Sequence, residues 1–298
     1  MSNVLTLKET LTPFEKWVNQ SFNREEFFAA IHDYNDSPTE PDYGTSLDGD
    51  VFLPKFRNTS YVMSADLLCC ALFGISKGES MYVDGKTRFV RKYIEKTFDT
   101  CNGASVEYRG KELRQDDLSV LLHLISLRNG MCTSLTIESS PYALLREMGW
   151  SDSKPNVAHL KECLLRLRGA LLVIERDGHR GSAIGFVSEF SWDDDKLWSI
   201  RLDDSIVCLF QKSTTYLSIS KRSRLTEGLQ TWLYGYIRAN RCGWAVPLAV
   251  IHKSCGSAAT DMTEFARSVR DALRQLALAD VITDASTVKA GKVAIFKV

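Results

Sequence analysis

Along this chain, stretches whose apolar residues recur every three or four positions alternate with stretches of alternating polarity. Residues 12–32 (TPFEKWVNQSFNREEFFAAIH) predict a helix, with Phe14, Trp17, Val18, Phe28 and Ile31 near one face. The next segment, NDSPTEPDYGTSLDGD, is rich in Pro, Gly, Asp and Ser and reads as a linker. The body begins near Tyr61. ADLLCCALFGI predicts a short apolar helix, and SVEYRGKELRQDDLSVLLHLISL predicts a strand, a turn and a long amphipathic helix. SLTIESSPYALLREMGW follows as a strand and a helix that starts at Ser-Pro and leaves through Gly-Trp. NVAHLKECLLRLRGALLVIE is a third helix entering a strand, and SAIGFVSEFSWDDDKLWSIRLD reads as a β-hairpin turning at Asp193–Asp195.

That order then recurs. TEGLQTWLYGYIRAN is a helix, AVPLAVIHKSCG a short strand and a second helix, and SAATD a turn. MTEFARSVRDALRQLALADV is a long third helix, and VITDASTVKAGKVAIFKV a two-stranded wing. Helix, helix–turn–helix, then hairpin is the order of a winged helix, so the pattern predicts one fold used twice. The expected class is α+β: two tandem winged-helix domains, 59–220 and 221–298, behind an N-terminal appendage and linker, 1–58.

Composition narrows the function. The formal net charge is zero over 298 residues, yet residues 221–298 hold 12 basic against 6 acidic side chains, while residues 1–60 hold 5 against 10. A basic C-terminal domain on a neutral chain suggests a localised polyanion contact, although many domains of that charge bind nothing. No run of about 18 apolar residues predicts a membrane span, and the N-terminus lacks a basic region leading into an apolar one. A cytoplasmic protein without membrane contact is expected. The eight cysteines are scattered, with Cys69 and Cys70 adjacent in an apolar run, and read as reduced, packed thiols.

Catalytic patterns are missing. VDGKT at 83–87 has the end of a phosphate loop, but Ser80 stands where its first glycine is required. The five histidines fall in neither HxH nor HExxH spacing, and no GxSxG occurs. Cys242, His252 and Cys255 are the nearest approach to a metal cluster, with no CxxC pair and no fourth ligand. Asp193–Asp195 reads as a solvated hairpin tip. The expectation is a protein that is not an enzyme and that takes neither metal nor cofactor.

The last helix carries the positive signal. At 100° per residue, Phe265, Val269, Ala272 and Leu276 fall within about 60° of one another and predict the buried stripe. Opposite lie Thr263, Arg267, Arg270 and Arg274, with Asp271 close by. Guanidinium reads guanine bidentately and pairs with phosphate, so this face on the third helix of a winged helix suits DNA. The plainer reading is a solvated face with i,i+4 partners such as Arg267 and Asp271. Lys253 and Ser254 end the preceding helix, Lys289 and Lys292 lie in the wing, and Lys221, Arg222 and Arg224 precede the domain in KRSR. All could hold phosphates. In the first domain the third helix buries Leu160, Leu164 and Leu167, leaving Ala158, Glu162, Leu165 and Arg166 outward. That is a weak base-reading surface, although Lys154, Asn156, His159 and Lys161 at its start could hold phosphates.

These segments resemble the TrfA-type plasmid replication initiators. VEYRGKELRQDDLSVLLHLISL is similar to that family's YxGxxLxQxDLxVxL tract, and ALLREMGW with HLKECLLRLRGALLVIE to its next two helices. LQTWLYGYIRAN, VPLAVIHKSCGS and FARSVRDALRQL follow its second winged helix in the same order. Where the family carries Arg-Ser before Ala-Leu-Phe, this chain has Cys69 and Cys70, and residues 1–50 match none of it. The resemblance implies an initiator that binds directly repeated double-stranded origin DNA (iterons) and helps to open the duplex. It further implies recruitment of a host initiator and the replicative helicase, and a homodimeric state beside the monomer. The alternative is a double winged-helix repressor or partition protein on an inverted repeat; a third reading is a scaffold that binds no DNA. Two unlike heads on one chain lack two-fold symmetry and suit a directional site of about 20 bp, whereas a symmetric dimer suits a palindrome.

Overall fold

The computed structural model describes residues 51–298, except 78, 84–85, 101–103, 177–179, 194–196, 211–213, 241–244, 285 and 297–298. The expected N-terminal helix and linker, residues 12–50, lie outside the described residues.

The chain enters on β1 (Ser60–Ser64) and a single helical turn, α1 (Ala65–Leu68), then β2 (Phe73–Gly74). The predicted apolar helix is thus only four residues long. Strands β3 (Glu79–Val83) and β4 (Lys86–Val90) form a hairpin, and β5 (Tyr93–Asp99) pairs with β6 (Ser105–Lys111). In β6, Val106 and Tyr108 are buried while Arg109 is exposed, the alternation of a half-buried strand.

Gly110, in the YRGKEL tract, has a reason to be glycine. Its φ is +155°, and a Cβ would lie 2.5 Å from the Tyr108 hydroxyl oxygen, which donates to the Lys111 carbonyl at 2.5 Å. Gly110→Ala should cost about 1–3 kcal/mol through strain and a displaced buried tyrosine. Thermal unfolding checks this; a loss below about 0.5 kcal/mol would show that the strand end relaxes freely.

After β7 (Leu113–Arg114) comes α2 (Gln115–Leu127), whose N-terminus is closed by the Arg114 amide donating to Asp117 Oδ2 at 2.9 Å. Then follow β8 (Ile137–Ser139) and α3 (Pro141–Glu147), capped by Ser140 Oγ accepting from the Ala143 amide at 3.2 Å. The long α4 (Lys154–Arg168) buries Leu160, Cys163, Leu164 and Leu167. It leads to β9 (Leu171–Arg176), β10 (Arg180–Ile184), β11 (Val187–Ser191) and β12 (Trp198–Leu202). The predicted single hairpin over 183–202 is two hairpins. β10 folds back on β9 in the antiparallel sheet β10–β9–β6–β5, and β11 pairs β12, which pairs β8.

A 3₁₀ segment (Asp204–Phe210) precedes β13 (Thr214–Ser218), which pairs with β1 from Ser60↔Ser218 to Ser64↔Thr214. Short α5 (Ile219–Arg222) and α6 (Leu229–Ala239) follow, then β14 (Ala245–Pro247), α7 (Leu248–Ser254) and α8 (Met262–Leu278). Strands β15 (Thr287–Lys289) and β16 (Lys292–Ala294) form the last hairpin, and β14 joins it in the order β14–β16–β15.

The described residues therefore make a mixed α/β protein. One hydrophobic cluster runs from Leu53 to Ile295 and crosses residue 220. The β1–β13 pairing sets α1 against α6: the buried Trp232 indole donates to the Cys70 carbonyl at 3.3 Å, and a Cβ on Gly235 would meet Leu68 at 3.1 Å. Burying an indole contributes on the order of 2–3 kcal/mol. Among the described residues Cys70, Cys132, Cys163, Cys208 and Cys255 are free thiols. No helix among the described residues is long and apolar enough to cross a membrane.

Candidate nucleic-acid interface

α8 begins where Asp261 caps it: its Oδ1 accepts from the Thr263 amide at 2.7 Å and the Glu264 amide at 3.4 Å. These bonds to the ionised carboxylate hold Asp261 below the usual aspartate range, with Arg267 adding to the effect. Phe265, Ala266, Val269, Ala272, Leu273 and Leu276 are buried, and Thr263, Arg267, Arg270 and Arg274 are all exposed. Of the arginines, Arg274 is bound to Asp271 at 2.9 Å in an exposed i,i+3 pair, which is worth little. Arg270 has no acidic partner among the described residues.

The turn before α8 is braced from far upstream. The Ile75 amide donates to the Cys255 carbonyl at 2.9 Å, and a Cβ on Gly256, whose φ is +65°, would come within 3.2 Å of the Ala71 Cβ. Residues 71–75 thus support the helix pair that presents the arginines. Nothing in their local pattern marks them for that task.

Flanking cations fall into different environments. Lys253 is exposed and 3.5 Å from Asp99; Ser254 is half-buried beside it. Lys289 and Lys292 are exposed and stand directly opposite each other across the β15–β16 turn. Lys221 Nζ donates to the Asp280 carbonyl at 2.5 Å and Arg224 Nη1 lies 3.3 Å from the Asp280 carboxylate, so both gather at the end of α8. Arg222 leaves the predicted set. It is 6% exposed, donates to Ser119 Oγ at 3.1 Å and to the Thr231 carbonyl at 3.5 Å, and faces Glu227.

α4 spends several of its polar groups on contacts within the chain. Asn156 donates to the Ser151 carbonyl at 2.8 Å and its hydroxyl at 2.7 Å, and His159 Nε2 lies 3.0 Å from Asp116. Lys161 Nζ sits 4.1 Å from the Trp192 ring centre, and of the four residues predicted here to hold phosphates Lys154 alone is exposed rather than half-buried. Arg166, expected outward, is 8% exposed. Its Nε donates to Asp117 Oδ1 at 2.9 Å, while Arg91 donates to both Asp116 and Asp117. Two carboxylates and two guanidinium groups thus balance in the interior. Burial pushes the Asp116 carboxyl up, but His159 and Arg91 outweigh it and hold the group below its usual range. Burial and the Asp116 charge raise Asp117, against the pull of Arg166 and Arg91.

Comparison with known proteins decides the family. The TrfA protein profile matches residues 60–291, more than three quarters of the chain. The chain belongs to the TrfA family of replication initiators. A crystal structure of domains 2 and 3 of RctB matches at TM-score 0.50 and 12% identity, covering 78% of this chain and 96% of that one. This likeness places the mixed α/β fold. Another crystal structure of RctB domains 2–3 matches at TM-score 0.43 and 15% identity, covering 70% and 93%. No curated protein matches the chain.

Within this TrfA-family chain the tract DD at 116–117 supplies the two carboxylates of the buried network. Asp116 Oδ2, His159 Nε2 and Cys163 Sγ lie within 4.8 Å of one another, as metal ligands would. The Asp116 oxygen already accepts from Arg91, however, and Arg166 Nη2 donates to Cys163 Sγ at 3.2 Å. Two guanidinium groups against three ligand atoms make a poor cation site. Of the other cluster weighed, His252 Nε2 is bonded to the Ala259 carbonyl and Cys255 Sγ to the His252 carbonyl, while Cys242 lies outside the described residues.

Proposed function

We propose that this TrfA-family chain is an iteron-binding plasmid replication initiator that acts by binding rather than by catalysis. In this reading the two parts, 59–220 and 221–298, are tandem winged helices, and α8 enters the major groove. The observation that carries it is the face of α8, where Thr263, Arg267, Arg270 and Arg274 are exposed together on the basic end of the chain. Lys253, Lys289, Lys292, Lys221 and Arg224 add phosphate contacts, which raise affinity and salt dependence without choosing sequence. With Asn156, His159 and Lys161 engaged internally, α4 contributes backbone contact through Lys154 and steadies the complex. Opening of the duplex and recruitment of the host initiator and helicase then follow from placing several such chains in one direction.

Unlike heads fix a direction on DNA, so one chain per asymmetric repeat is expected. Native mass measurement with a duplex bearing one repeat from beside the gene, together with footprinting, tests this. One chain per duplex with an asymmetric footprint supports the initiator. An obligate two-fold dimer on an inverted repeat would favour a repressor instead.

A further inference from the structure

The turn between α7 and α8 spans residues 255–261, longer than the three or four residues usual between the helices of a helix–turn–helix. A longer turn leaves the exit angle of the second helix underdetermined unless something ties it. His252, in the last turn of α7, does so from two sides. Its Nε2 is 2.8 Å from the Ala259 carbonyl oxygen, late in the turn. A carbonyl only accepts, so Nε2 carries the hydrogen and donates. The same ring meets Phe265 edge to face, with centroids 4.8 Å apart at 89°. Phe265 is the first residue of the buried stripe of α8. The His252 carbonyl also accepts from the Ser257 amide at 3.2 Å and the Cys255 thiol at 3.4 Å. One half-buried residue therefore holds both ends of the turn and the base of α8.

We infer that His252 is a positioning residue for DNA reading: it sets the angle at which α8 leaves the turn and so aims Arg267, Arg270 and Arg274. This rests on the proposed role of α8. Base contacts demand fixed geometry, whereas non-specific phosphate attraction tolerates a shift. Loss of the tie should therefore lower specific binding and spare non-specific binding.

The test uses the full chain, with a duplex selected by the wild-type protein from a random library and a scrambled duplex of equal length. His252→Phe keeps the ring contact with Phe265 and removes the donor. It should weaken selected-duplex binding about three- to tenfold, the scale of one hydrogen-bond contact held out of place, with scrambled-duplex binding unchanged and Tm lowered by no more than about the few degrees one hydrogen bond contributes. His252→Gln places an amide donor at similar reach and should restore most of the affinity. Wild-type discrimination by folded His252→Phe, or equal loss on both duplexes, overturns the inference. Should that variant not fold, His252→Gln is compared with His252→Asn, whose donor is one methylene shorter; equal discrimination by these two also overturns it. Arg270→Ala is measured alongside. Unchanged binding there and in the alanine variants of Arg267 and Arg274 overturns the reading of α8 itself, whereas loss there with none in His252→Phe overturns only the part given to His252.

Discussion

Asp117→Ala should remove about 3–5 kcal/mol of folding stability, because it leaves Arg166 and Arg91 cationic in the interior with half their countercharge. Asp117 has a fully buried side chain, and it receives Arg166 at 2.9 Å, Arg91, and the Arg114 amide that closes the start of α2. The change therefore breaks two ion pairs and a helix cap together. Arg166 and Arg91 are 7% and 12% exposed at their side chains, so water cannot replace the lost partner without opening the core. Since a domain is stable by only about 5–15 kcal/mol, the variant should be marginal at room temperature. Urea unfolding of the full chain measures it, and a loss below about 1 kcal/mol would show that the network contributes little. Arg166→Met should cost less, because it keeps both Arg91 pairs and the Arg114 amide bond that closes the start of α2.

Alanine at Arg267, Arg270 or Arg274 should each weaken specific DNA binding by about 1–3 kcal/mol where the arginine makes a bidentate base contact. Arg270, without an acidic partner, should show the largest loss. Arg274 must first give up its 2.9 Å contact with Asp271, which offsets part of its gain. Because all three are exposed and α8 buries the opposite side, folding should be unaffected. Lys289→Ala is the contrasting case: it should weaken binding evenly across sequences and flatten the salt dependence by about one charge. Wild-type affinity in all three folded arginine variants, measured on the selected duplex, would sink the assignment of α8.

The arginine face of α8 was legible because a helix sets its own period: burying Phe265, Val269, Ala272 and Leu276 sends residues 263, 267, 270 and 274 to the other side wherever the helix packs. The same held for the run of elements from α6 to β16 and for the Ser140 cap, each decided by neighbours within a few residues. Fate of individual cations was not legible, because it depends on distant partners. Arg166 looked outward by periodicity but turns in to Asp117, 49 residues away, and Arg222 looked like part of a basic run but reaches Ser119, 103 residues away. Burying a guanidinium is tolerable only where a carboxylate or carbonyl waits for it. The sequence by itself thus determined which helix faces exist, since local sterics and the helical period need no context. Only the tertiary structure decided which charges face water, because the packing of α4 and of the segment after β13 against α2 brings together groups that no local pattern relates.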